Sequence, residues 1–146
     1  MPSIPPLYRQ ETLYSCVPVC LRMVLASLGH EVTEATLRTL CDCTVFGTEA
    51  LKAVDAMRQL GFTSTMKQTC AMEDLRQQLQ GGHWPIVFVN TLPITGQRNA
   101  HAVVVVEVGS AQLTVYDPLD GERVLPQAPF LTAWAMMHNL ALLIQR

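Results

Sequence analysis

At Trp84 the sequence changes its period, and that change limits the fold. Downstream, "WPIVFVN", "HAVVVVEV" and "QLTVYD" are β-branched or aromatic runs of strand length, the last two separated by Gly109 and Ser110 as a hairpin turn. Upstream, apolar residues recur at helical spacing. Residues 16 to 29 read as a helix, with Val19, Met23, Val24, Leu25 and Leu28 on its apolar positions and Gly29 closing it. Helices first and an antiparallel sheet second make an α+β domain.

The remaining elements follow the same logic. Thr33 is an N-cap for a helix to about Leu40, and a third helix runs from Thr48 to Leu60, closed by Gly61. "FTSTMK" is a short strand, and "MEDLRQQLQ" a fourth helix stopped by Gly81 and Gly82. "PLDGERV" reads as a turn, "PFLTAWAMM" as a short helix and "NLALLIQ" as a final strand. No repeat, low-complexity tract or linker interrupts the 146 residues, so one domain, 1–146, is expected.

Composition excludes several partner classes. A net charge of −2 with scattered charges leaves no footprint for nucleic acid or an anionic membrane. The longest apolar run is far shorter than the roughly 20 residues a membrane-spanning helix needs, and the N-terminus lacks a basic segment followed by an apolar one. A soluble, cytoplasmic protein is expected. Five cysteines, an odd number, give no disulfide framework in that setting, and none of them completes a tetrahedral zinc set with a nearby histidine. No metal or organic cofactor is expected.

Chemistry concentrates around "RQETLYSCVPVC", Arg9 to Cys20. Cys16 falls at the N-terminus of the first helix, with Pro18 in the first turn, where a missing N–H costs nothing. Backbone N–H groups and the helix dipole favour a thiolate at such a position. Helix position alone leaves two roles open for Cys16, a packed core thiol or a nucleophile. Cys20 lies one turn deeper, away from the N-terminal N–H groups, and reads as core.

A nucleophilic cysteine needs a base and a group that orients the base. Of four histidines, His30 follows a helix C-cap, His83 lies in a glycine-rich loop and His138 follows the last helix. His101 opens the strand "HAVVVVEV" and is therefore held at a sheet end. Asp117 closes the strand expected to pair with it. Register makes this testable: a two-residue turn at Gly109 and Ser110 would put His101 opposite Pro118 and leave Asp117 on the other face. A three-residue loop or a bulge would put His101 opposite Asp117, so a longer turn or a bulge is expected between the strands.

Gln10, the six-residue step to "CVPVC" with Met23 beyond it, "HAVVV", and "VYDP" sixteen residues after the histidine together resemble the bacteriocin-processing, double-glycine leader cysteine peptidases. The resemblance covers almost the whole chain. It implies a papain-like fold, with a helical N-terminal half packed on an antiparallel sheet from the C-terminal half. It also implies a peptide or protein substrate supplied in trans, cut after Gly-Gly in a leader, and association with an exporter or precursor peptide. In the same terms Cys16 is the nucleophile, His101 the general base and acid, and Asp117 the residue fixing the imidazole. Gln10 and the Cys16 amide form the oxyanion hole. A non-catalytic peptide-binding module, or an acyltransferase using the same residues, is the alternative. Many family members carry glycine after the nucleophile; Val17 and Pro18 stand there here, and are expected to narrow access to the sulfur. The chain's own "QLQGGHW" reads as a helix stop rather than a cleavage site.

Overall fold

Twelve short elements follow one another in the computed structural model, which describes residues 3–146. Three helices come first: α1, Cys16–Ser27; α2, Glu34–Leu40; and α3, Ala50–Gln59. Then follow β1, Met66–Thr69; α4, Met72–Gln80; β2, Ile86–Asn90; α5, Leu92–Thr95; β3, Ala100–Val108; β4, Gln112–Asp117; β5, Gly121–Pro126; α6, Gln127–Ala135; and β6, Leu140–Leu143. The six strands form one antiparallel sheet in the order β1-β6-β2-β3-β4-β5.

Local chemistry sets the boundaries. Thr33 caps α2 by accepting the N–H of Thr36 at 3.2 Å. The Asp74 carboxylate reaches back to the Ala71 N–H at 2.7 Å and starts α4. Gly81 ends that helix and Gly82, at φ +80°, turns the chain towards β2, a geometry that a non-glycine residue rarely adopts.

Alternate residues of the strands face two separate cores. Ile86, Phe88, Ala102, Val104, Tyr116 and Leu142 pack with α1, α2 and α3. Val87, Val89, Val103, Val105, Val115 and Ala141 pack with α4 and α6, around Phe130 and Trp134. The sheet is thus covered on both faces, which explains why β2 and β3 are continuous apolar runs rather than alternating ones. The second layer comes from α4 and α6, the helices expected at "MEDLRQQLQ" and "PFLTAWAMM".

Two segments differ from their sequence assignment. "GERVLP" is β5, an edge strand with a glycine start, charged residues and an exposed Val124, features that read equally well as a turn. The four-residue α5, "LPIT", is too short to show a period.

The β3–β4 hairpin turns one residue later than expected. Gly109 N–H donates to Gln112 O at 2.8 Å, so Ser110 and Ala111 form the tip. Val108 pairs with Leu113 and Glu107 with Thr114, but Val105 pairs with Val115, so Val106 is an extra residue absorbed in a bulge. Continuing the Val104–Tyr116 register places Asp117 across from Val103. His101, two residues from Val103, therefore shares its face and meets Asp117 diagonally rather than directly opposite. Without the bulge Asp117 would lie across from Val104, on the face away from His101.

Candidate active site

Where α1 packs on β3, its first residue arrives at the end of the sheet that His101 opens. Cys16, His101 and Asp117 line one open cleft of about 430 Å³. Leu13, Val45 and Phe46 form an exposed apolar wall, and Thr91, Thr95, Gln97 and Asn99 a polar one. Among the described residues, His101 is the histidine in this cleft. His30 instead stacks edge-on against Phe62, and His83 lies near Gly81.

His101 Nε2 meets Asp117 Oδ1 at 2.7 Å, with both side chains buried. That contact leaves the other ring nitrogen, Nδ1, for a second partner, and Cys16 lines the same cleft. Burial disfavours the charged imidazolium. The hydrogen bond to Asp117, the neighbouring Cys16 sulfur and the charges of both outweigh it and raise the His101 pKa from 6.5 to about 9. Burial likewise opposes the Asp117 carboxylate. The hydrogen bond and charge of His101, and the N–H groups of Leu119 at 2.8 Å and Asp120 at 3.4 Å, nevertheless hold its pKa below the usual value. Arg123 adds an ion pair at 3.9 Å from Asp117 Oδ2.

The other cysteines stand apart. Cys20 is fully buried, and burial first, then the charges of Cys16 and Asp117, push its thiol well above the ordinary value. Burial raises Cys41 to about 12 and also raises Cys70. Val17 is buried in the core and Pro18 is also buried; neither lines the cleft, so the expected narrowing beside the sulfur is absent.

Gln10 lies on the segment leading into α1, but not in the cleft wall. Its Nε2 donates to Thr12 O at 2.7 Å, and its Oε1 is buried without a partner. The Ser15 hydroxyl shares the same Thr12 carbonyl at 3.3 Å, which links Gln10 to the residue before Cys16. The segment is also fastened to the turn after Asp117: Gln10 N–H donates to Pro118 O at 2.9 Å, and Arg9 Nη1 to Leu119 O at 2.6 Å. Gly121 makes room for this; a Cβ there would sit 2.9 Å from the Arg9 guanidinium.

The sequence reading missed Phe46, Val45, Leu13 and Arg123. "CTVFGT" carries no periodicity, and the cleft wall it forms arises only when its short Thr44–Gly47 bridge folds over Tyr14.

A cysteine, a histidine and an aspartate gathered at one sheet end of an α+β fold define a protein of the thiol-peptidase class. The model of the peptidase C39 family matches residues 5–146, and the chain belongs to that family of cysteine peptidases, which are hydrolases. The chain is similar to the peptidase domain of Streptococcus ComA, a bifunctional ABC transporter of a quorum-sensing pathway. The two are 27% identical with a TM-score of 0.78, over 99% of this chain and 100% of that one. A double-glycine motif protease from an AMS/PCAT transporter, in complex with its leader peptide, superposes with a TM-score of 0.75. It is 20% identical over 97% of this chain and 91% of its own. The Streptococcus mutans ComA peptidase domain gives 0.63 at 23% identity, over 93% and 95%. No curated protein sequence matches the chain. No helix among the described residues is long and apolar enough to cross a membrane.

Proposed function

We propose that residues 1–146 act as one papain-like peptidase domain that cleaves a leader-type peptide after a Gly-Gly pair. The observation that carries this reading is the hydrogen-bonded pair Asp117–His101 gathered with Cys16 at the wall of one open cleft. The Cys16 thiolate attacks the scissile carbonyl carbon, and the carbonyl electron pair moves onto oxygen. Protonated His101 then gives its proton to the leaving amine as the C–N bond breaks. In the second half, His101 takes a proton from water, which attacks the thioester and releases Cys16. Asp117 holds the ring in one orientation and stabilises its charge.

The oxyanion falls to the Cys16 backbone N–H and the Gln10 amide. A primary amide nitrogen carries two hydrogens; the Thr12 carbonyl fixes one, leaving the other free to donate. Gly-Gly specificity rests on the kinship with the transporter protease that was crystallised with a leader peptide.

The test is cleavage of a synthetic leader peptide ending in Gly-Gly, followed by mass spectrometry, beside labelling with a thiol-directed inhibitor. Cys16→Ala and His101→Ala abolish cleavage, Cys16→Ala also abolishes labelling, and Cys20→Ser spares both. Gln10→Ala lowers turnover by roughly a hundredfold or more, the scale of one oxyanion donor. Labelling of Cys20 or Cys70 with Cys16 untouched would sink the assignment.

A further inference from the structure

Glu34 is an acidic residue buried in a helix's first turn with no catalytic role so far. Its position beside the Thr33 cap accounts for a negative charge there, since helix N-termini favour one. It does not account for burial: the side chain is 0% exposed, and buried carboxylates are costly without partners. One partner is a main-chain group 23 residues upstream, because the Glu11 N–H donates to Glu34 Oε1 at 2.9 Å. The other is Arg38 on the same helix, with Nε 3.4 Å from Glu34 Oε2 and Nη2 3.7 Å from Glu11 Oε1.

Glu11 follows Gln10 directly, in a segment without regular secondary structure. On its other side Gln10 N–H is held by Pro118 O. Consecutive N–H groups are thus tied in different directions, one to the turn that wraps Asp117 and one to α2. Two fixed points on adjacent peptide units leave the Gln10 side chain little freedom beyond its own torsions, and Thr12 O takes up the amide. We infer that Glu34 is a positioning residue, whose buried carboxylate anchors the Glu11 peptide and so fixes the segment from which the Gln10 amide serves the oxyanion. This inference rests on the oxyanion role proposed for Gln10.

The test separates acyl chemistry from plain thiolate reactivity. Acylation of Cys16 by the 4-nitrophenyl ester of an N-blocked Gly-Gly dipeptide passes through an oxyanion and is read as the nitrophenolate burst. Alkylation by iodoacetamide is a displacement at saturated carbon with no oxyanion, and uses only the thiolate. Glu34→Ala slows the burst on the order of ten- to a hundredfold, the cost of a small misplacement, with alkylation within about twofold. Glu34→Gln, which keeps an acceptor oxygen for the Glu11 N–H, restores most of the burst rate. If the alanine variant does not fold, Glu34→Met fills the same space without an acceptor and gives the same split. In a Gln10→Ala background, Glu34→Ala adds no further loss. Parallel losses of burst and alkylation, or losses that multiply in the double variant, overturn the positioning role while leaving Gln10 in place. A Gln10→Ala enzyme that acylates at the parent rate removes the Gln10 reading, and the Glu34 inference with it.

Discussion

In the proposed reaction His101 meets two opposing demands. As a base it should bind a proton readily, and as the acid for the leaving amine it should release one. With a pKa raised to about 9, the ring is protonated at neutral pH between Asp117 and Cys16, so the acid role is ready and the alkaline side limits turnover. Turnover is therefore expected to fall as pH rises through about 9. Asp117→Asn removes both the hydrogen bond to a carboxylate and its charge, leaving burial, which lowers the pKa, less opposed. The alkaline limb then moves down towards the ordinary histidine range, read from kcat against pH; a limb that stays in place would detach Asp117 from the ring. Stability follows with the same sign. A histidine raised above its unfolded value contributes stability that is full below about 6.5 and lost as pH climbs through about 9. Asp117, held low, contributes above the ordinary carboxylate range and loses that contribution as pH falls through its folded value. At this scale the sequence was informative about three residues. Helix position and strand ends singled out Cys16, His101 and Asp117, whereas the partner of the Gln10 amide depends on where a segment without periodicity lies, which no residue pattern encodes. Glu34 was equally hidden, since an acidic residue after an N-cap already has a local explanation.

Among the elements, β3 decides whether the site exists. Residues 103 to 106 are four consecutive valines, so deleting any one of them gives the same sequence, "HAVVVEV". In that shortened strand Glu107 still pairs with Thr114 and the next residue with Val115, now without a bulge. His101 stays on the face of Asp117. Adding a fifth valine has the reverse effect: unless the sheet forms a second bulge, every residue upstream changes face and His101 turns away from Asp117. Deletion is expected to keep measurable peptide cleavage. Insertion is expected to lower it by at least the roughly 10²–10⁴-fold that a general acid–base group contributes, with the folded state checked by its melting transition. Equal activity in both variants would mean that the bulge does not set the relation of the two side chains. The need for an irregular hairpin was legible from parity alone, because only an odd residue brings His101 and Asp117 to one face. Its location was not, since a run of identical valines offers no residue at which to place it, and the Gly109–Ser110 pair was a plausible but incorrect turn. The edge strand β5 was missed for a related reason: half-exposed and charged, it lacks the apolar alternation that marks a strand.

For the molecule as a whole, the candidate site joins two layers that share one sheet. Cys16 comes from the helix layer whose core includes Leu21, Leu25 and Met57, and His101 and Asp117 lie two residues along their strands from Val103 and Val115, which face the layer of Phe130 and Trp134. Bringing the three side chains together in one cleft requires both layers to be intact together. Two tryptophans allow this to be tested, one in each layer: Trp84 packs against the α1–α3 core, and Trp134, fully buried with its Nε1–H donating to Leu140 O at 3.0 Å, lies in the other. Trp84→Phe leaves Trp134 as reporter, and Trp134→Phe leaves Trp84. A single domain whose sheet is common to both cores should unfold in one cooperative step. In urea, the fluorescence transition within each variant is therefore expected to coincide with loss of Cys16-dependent cleavage and with the far-ultraviolet signal of the same variant. Midpoints differ between the variants only by the cost of each substitution, larger for Trp134, which leaves part of a buried indole site empty. If Trp134 reported an earlier transition than the helical signal, the α4–α6 layer would be a separately melting unit. Activity should then be lost with that first step, because Asp117 and His101 are built on its side of the sheet.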